Sequence, residues 1–113
     1  MKKSFLGIII LVAVSCSSDQ PPNTIMDQSQ MTNYLIDLHI AEAAVQNLRL
    51  RGDSAKIVFA AKEKQLLSKH NITDSVFINS YNYYLEYPIK LEEIYSAVVD
   101  SISLRQSLVN EAK

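Results

Sequence analysis

The sequence predicts an all-α protein, a compact and uneven four-helix bundle behind a lipidated N-terminal tether. Two observations lead to this prediction. Apolar residues recur at three- and four-residue spacing in four successive segments after residue 26, which is the pattern of amphipathic helices. The connections between these segments are short, and short connections favour antiparallel neighbouring helices.

The first helix is predicted over residues 27–49, where the chain contains no glycine or proline. Its apolar stripe comprises Met31, Tyr34, Leu35, Leu38, Ala41, Val45 and Leu48. Gly52 interrupts the pattern, and Asp53 or Ser54 is placed to cap a second helix that ends near residue 69. The inner positions of this second helix are Phe59, Ala60, Leu66 and Leu67.

The third and fourth helices follow from turn and capping residues. Asn71 is expected in the left-handed conformation after the second helix, because asparagine tolerates it better than most residues. Thr73 caps the third helix, and Pro88 opens the fourth, where the first turn does not need the N–H that proline lacks. The predicted inner positions are Val76, Phe77, Ser80, Tyr81 and Tyr84, then Leu91, Ile94, Tyr95, Val98 and Ile102, with an extension over 105–109.

The N-terminus has the parts of a bacterial export signal. Lys2 and Lys3 precede an apolar run over residues 5–14, which is too short for a membrane span of about 20 residues. The segment Ala13-Val14-Ser15-Cys16 resembles a lipobox, in which a peptidase cuts before a lipidated cysteine. We therefore expect a signal peptide at 1–15, a lipidated tether at 16–26 and a helical domain at 27–113.

Acylation of Cys16, for example with palmitate, predicts stable membrane anchoring. Each buried methylene contributes about 0.8 kcal/mol, and more than one acyl chain holds a protein on the bilayer. Ser17 replaces the aspartate that favours inner-membrane retention, and Asp19 stands without an acidic cluster around it. We expect the outer membrane, on the periplasmic side rather than the cell surface. An ordinary signal peptide before an incidental cysteine is the alternative.

Composition excludes several function classes. The chain has 113 residues and a formal charge of −1, and removal of the signal peptide leaves 98 residues with a charge of −3. About 100 residues form one domain, and the negative charge argues against nucleic-acid binding. With two glycines and one cysteine, no disulfide framework, cysteine zinc site or phosphate-binding loop is expected. No cofactor, metal or small-molecule substrate is predicted.

Three short motifs carry a resemblance to a known family. They are residues 37–43 (DLHIAEA), the turn 70–73 (HNIT) with Phe77 and Ser80, and Tyr83-Tyr84 with Pro88, Leu91, Ile94 and Tyr95. Their order and spacing over residues 25–102 resemble the Bacteroidota lipoproteins grouped as domain of unknown function 4296. Asn71 stands where a glycine is common in that family. The resemblance implies an all-helical exported lipoprotein and supplies no activity.

Polar residues on the first helix are the candidates for chemistry. If Leu38 marks the centre of the stripe, Glu42 lies about 40° away, with His39 and Asp37 about 100° away on opposite borders. Glu42 is therefore expected in the core as a structural hydrogen-bond acceptor. The functional alternative is a metal or acid/base pair of His39 and Glu42, with His70 as a third member. Asp37, His39 and Glu42 are accordingly predicted to be structural polar residues.

Tyrosines cluster between residues 81 and 87. Tyr84 is expected in the core, whereas Tyr83 and Tyr87 point outward on helical geometry and, with Pro88, form a candidate interaction corner. The lysines of the second helix predict a solvated face, with an anionic lipid surface as the alternative reading: Lys56, Lys62, Lys64 and Lys69.

These features predict a non-enzymatic lipoprotein that binds an envelope protein as an accessory subunit. No nucleophile elbow or Ser/His/Asp arrangement with a glycine-built oxyanion site is recognisable. The first alternative is a small hydrolase or metal-dependent enzyme that uses His39 and Glu42. The second is a surface-exposed lipoprotein that binds polysaccharide or a host.

Overall fold

A computed structural model describes residues 24–111. Four helices follow one another: α1 (Gln28–Asn47), α2 (Ser54–Lys69), α3 (Asp74–Leu85) and α4 (Pro88–Glu111). Residues 24–111 contain no strand, so the predicted all-α bundle is confirmed. The predicted signal peptide, Cys16 and the tether as far as residue 23 lie outside the described residues.

Local capping chemistry determines where the helices begin and end. Asp27 accepts a hydrogen bond from the backbone N–H of Gln30, whose side chain accepts one in return from the Asp27 N–H, so α1 starts with a capping box. The Thr73 hydroxyl accepts from the backbone N–H of Val76 at the start of α3. Asp53 precedes α2 without such a side-chain bond. Asn71 has φ 59°, as predicted for the residue after α2.

The central element is α1, which packs along α2 and along α4, whereas α3 packs mainly on α4. Two residues on α1 show that α2 and α4 flank it on opposite sides. Asp37 contacts the end of α2 through His70, and the ring of His39 lies 6.4 Å from that of Tyr95 on α4. Residues two apart project about 200° apart around a helix, so the two partner helices face opposite flanks of α1.

Contacts along α1 also give the helix directions. Gln28 at its start bonds to Glu93 near the start of α4, and the end of α1 faces the end of α4, so these helices run parallel. Both α2 and α3 run in the opposite direction: His70 at the end of α2 reaches Asp37, and Phe77 of α3 then contacts Tyr34. Because α2 and α3 follow each other along α1, α3 covers only the first half of α1.

The buried residues differ from the predicted inner faces of the helices at several positions. Ile36 is buried although it lies outside the predicted stripe, whereas Leu48 and Ala60 are exposed although they were predicted to be inner positions. The predicted extension of the fourth helix over 105–109 is present, since α4 continues to Glu111, but these residues are exposed and add nothing to the core. Burial is concentrated where α1, α3 and α4 meet: Met26, Met31, Tyr34, Leu35, Ile36, Tyr84, Ile94 and Val98.

Met26 belongs to the domain, and its assignment to the tether is wrong. Its side chain is buried in the core, and its backbone is held by α3. The Met26 N–H donates to Ser80 Oγ over 2.9 Å, and the Tyr84 hydroxyl donates to the Met26 carbonyl over 2.8 Å. Ser80 in turn donates to the carbonyl of Val76. These bonds satisfy the backbone N–H and C=O of a buried residue that precedes the first helix, where neither group has a helical partner.

Candidate functional site

Glu42 is exposed, and the prediction of a buried structural acceptor is wrong. Half of its side chain is accessible, and its nearest ionic partner is His39 Nδ1 at 3.5 Å. Met31 lies at nearly the same angle around α1 and is fully buried. Met31 lies in the core cluster with Tyr84 and Ile94. In contrast, α3 begins beside Tyr34 and runs toward the start of α1, away from the level of Glu42. Helical periodicity gives the direction of a side chain but not the element that covers it.

His70 contacts Asp37, so the alternative grouping of His70 with His39 and Glu42 does not form. Asp37 Oδ2 lies 2.8 Å from His70 Nε2 and accepts a hydrogen bond from Lys69 Nζ over 2.9 Å. The edge of the Tyr34 ring packs against the imidazole with centroids 5.3 Å apart. This polar cluster ties the end of α2 to the middle of α1. The structural role predicted for Asp37 fits this geometry, although its partners were not foreseen.

Electrostatics in the polar cluster favours the charged form of Asp37. Burial acts to raise the pKa of its carboxyl, but hydrogen bonds and positive charge from Lys69 and His70 outweigh burial and lower that pKa. The carboxylate is therefore an ionised acceptor between two donors. Between residues 24 and 111, no group of three or more His, Cys, Asp and Glu side chains is placed to hold a metal ion.

The tyrosines divide into core and surface. Tyr84 is buried as predicted. Tyr83 is half-buried and contacts the Tyr84 ring edge to face at 5.1 Å, so the expectation that it points outward holds only in part. Tyr87 is exposed; its ring stacks at 4.8 Å on Tyr83 and lies under the ammonium group of Lys90.

The corner between α3 and α4 exposes a group of apolar side chains around Pro88. Leu85, Tyr87 and Ile89 are between 41 % and 74 % exposed. A shallow depression of about 550 Å³ runs beside them and is bordered by polar groups that include Gln28 and Glu93. Tyr87 and Pro88 were predicted to lie at this corner, whereas Leu85 and Ile89 were not, although the sequence has apolar residues on both sides of the proline.

A second depression, of about 700 Å³, lies where the last turns of α1 and α4 diverge. Its lining includes Ile40, Ala43, Ala44, Ile102 and Val109. No role was predicted for this groove from the sequence.

The fold and these surfaces define the class of protein: a small all-α domain with an exposed apolar corner where its third and fourth helices meet. The chain belongs to the family described as Domain of unknown function (DUF4296), which matches residues 22–107. This match confirms the family resemblance seen in the sequence. No curated protein and no solved structure matches the chain. In the part of the chain that the structure describes, no helix is long and apolar enough to cross a membrane.

Proposed function

We propose that this protein is a lipid-anchored lipoprotein of the outer membrane, on its periplasmic side, that acts as a non-enzymatic binding subunit of an envelope protein assembly. The observation that supports binding is the apolar corner defined by Leu85, Tyr87, Pro88 and Ile89. Tyr87, Pro88 and Ile89 line one depression, and the exposed Leu85 lies two positions before Tyr87 in the chain, whereas exposed apolar residues on most soluble domains are scattered. The anchoring part of the proposal comes from the lipobox-like segment before Cys16.

The corner has the chemistry of a protein interface. Tyrosine is enriched in the centre of interfaces because it combines large contact area with a hydroxyl that tolerates water. Pro88 limits the backbone freedom of the turn, so little conformational entropy is lost when a partner orders it. Glu86, Lys90 and Glu93 surround the apolar residues as a polar rim would.

Replacement of Leu85 and Tyr87 by Ser is expected to remove the partner while the domain stays folded. Tyr83 is left in place because its ring packs on Tyr84. Loss of a central interface residue costs about 2 kcal/mol, or about 30-fold in affinity. The measurement is affinity isolation from gently solubilised membranes, together with thermal unfolding of the variant.

Leu108→Ser is the matched control, because Leu108 is as exposed as Leu85 but lies near the far end of α4. Proteins that co-purify in constant proportion with the wild type should be retained by this control and lost from the corner variant. Equal retention by both variants would remove the corner from the proposal.

Replacement of Cys16 by Ala, in a chain exported with a signal peptide that is removed without lipidation, is expected to move the protein from the membrane fraction to the soluble periplasmic fraction. The reason is that acyl chains on Cys16 supply the anchoring free energy in this proposal. Fractionation and the mass of the mature N-terminus provide the measurement. Membrane retention of the variant, or an unmodified Cys16 in the wild type, contradicts lipid anchoring.

A further inference from the structure

The two flanks of α1 carry opposite charge. Residues 49–69, which form the α1–α2 turn and α2, contain six basic and two acidic side chains. Residues 74–100, which form α3 and the first half of α4, contain five acidic side chains and one basic side chain. Because α2 and α4 pack on opposite sides of α1, the domain has a basic flank and an acidic flank.

The basic flank begins at residues 48–57, which comprise the turn between α1 and α2 and the first turn of α2 and which we call the basic tip. Its sequence alternates Leu48, Arg49, Leu50 and Arg51, and all four residues are exposed. Ile57, on the first turn of α2, is 69 % exposed, and Leu48 is 57 % exposed. Aliphatic side chains and cations therefore emerge together from one end of the domain.

The backbone of the basic tip has a defined conformation. Arg49 and Gly52 have φ values of 51° and 61°, and the N–H groups of Leu48 and Arg49 donate to carbonyls of the last turn of α1. The side chains of Arg49, Arg51 and Lys56 form no salt bridge with a carboxylate of residues 24–111. Their charges are thus available to an external anion.

We propose that the basic tip inserts shallowly into the surface of an anionic lipid bilayer. Aliphatic side chains reach the boundary between headgroups and acyl chains, while neighbouring cations contact lipid phosphates. Arginine and lysine suit this position because their long apolar stems lie beside aliphatic groups and their charged ends stay at the polar surface. The acidic flank faces away, since an anionic bilayer repels it. This contact needs no acyl chain and does not depend on the proposed function.

A lipid surface explains the tip better than an acidic protein surface does. The exposed aliphatic residues lie on the turn between α1 and α2 and on the first turn of α2, and the tip contains no tyrosine, tryptophan or phenylalanine between residues 48 and 57. Protein interfaces favour such aromatic anchors. The alternation of leucine and arginine matches the depth profile of a bilayer surface, which is polar outside and apolar a few ångströms below.

A single tryptophan tests the proposal, because the chain contains none. Ile57→Trp places the probe on the basic tip, and Val99→Trp places it at a comparably exposed position on α4. Both changes are made in the full chain with Cys16→Ala, so that no acyl chain contributes. Since both chains share the N-terminal apolar segment, any difference between the probes reports the orientation of the domain. Circular dichroism checks that each variant keeps its helices.

With vesicles containing phosphatidylglycerol, the emission of the probe at position 57 should shift to the blue, and that at position 99 should not. The shift should be absent with pure phosphatidylcholine and should decrease as salt rises. Arg51→Glu should abolish it, whereas Arg105→Glu, the same charge reversal on α4, should preserve it. Arg49 is left unchanged because of its positive φ.

Three results would overturn the proposal. The first is an unshifted probe at position 57 on anionic vesicles, and the second is an equal shift of both probes. The third is a shift with soluble polyglutamate but not with vesicles, which would assign the basic tip to an acidic protein instead.

Discussion

Replacement of Tyr84 by Ala is expected to lower the free energy of unfolding by about 3–5 kcal/mol, which is the usual cost of removing a large buried aromatic side chain. The Tyr84 ring is fully buried, and its hydroxyl donates to the Met26 carbonyl. The variant loses both the packing and the bond that holds the entry to α1. Since small domains are stable by about 5–15 kcal/mol, this loss is a large fraction of the total stability. Urea unfolding followed by circular dichroism measures the change.

Tyr84→Phe separates the two contributions, because it keeps the ring and removes only the hydroxyl. The Met26 carbonyl then lacks its donor in the core, which costs about 1–2 kcal/mol. Tyr87→Phe is the control, since Tyr87 is on the surface, and its stability should stay within about 0.5 kcal/mol of wild type. A Tyr84→Phe variant as stable as wild type would contradict the role of this bond.

Buried tyrosines also predict unfolding at alkaline pH. Burial raises the pKa of Tyr84 to about 12, with smaller contributions from Tyr83 and Asp27, and burial also raises the pKa of Tyr34 to about 12. Because these pKa values lie above the ordinary value of about 10, their contribution to stability is complete below pH 10. It is lost as the pH rises through 12. In the Tyr84→Phe variant, stability should fall less steeply as the pH rises from about 10 to about 12.

Replacement of Asp37 by Ala is expected to cost about 1–3 kcal/mol of stability, because His70 loses a partly buried hydrogen-bond partner and α2 loses a tie to α1. Glu42→Ala is the matched control on the same helix. The Glu42 side chain is half exposed and reaches only His39, so its removal should change stability by less than about 0.5 kcal/mol. Equal losses in the two variants would show that the polar cluster contributes nothing specific.

Because the Asp37 carboxyl is ionised, its contribution to stability should depend on pH. Burial opposes ionisation of its carboxyl, but Lys69 and His70 outweigh burial, so the pKa of Asp37 is lowered on folding. A lowered pKa means that the contribution to stability is present above the unfolded value near 4 and is lost as the pH falls through the folded value. Asp37→Asn should remove that part of the acid dependence. If the stability of Asp37→Asn falls with decreasing pH as it does in the wild type, this pH dependence comes from other carboxyl groups.

The sequence predicted the helices well because helix formation depends on neighbouring residues. The capping role of Thr73, the start of α4 at Pro88 and the left-handed Asn71 all follow from backbone requirements within a few residues. The fully buried residues Met31 and Tyr34 also follow from periodicity, since both lie on the stripe that α1 presents to its partners.

The polar sites could not be predicted in the same way. His39 and Glu42 are close because they lie on one helix, and the sequence showed this proximity. His70 lies 33 positions from Asp37, and no local pattern indicates that they meet. The corner was predicted in part: Tyr87 is exposed, but contact with Tyr84 keeps Tyr83 half-buried.

By itself, the sequence determined the family, the all-α class and the approximate ends of each helix, because hydrogen bonds and turn conformations within a helix are local. The tertiary structure decided that Met26 is core and Glu42 is surface, and that His70 pairs with Asp37. The physical reason is that burial depends on which neighbouring element covers a position. Here the succession of α2 and α3 along α1 leaves its second half uncovered by α3, so side chains that point in nearly the same direction have opposite environments.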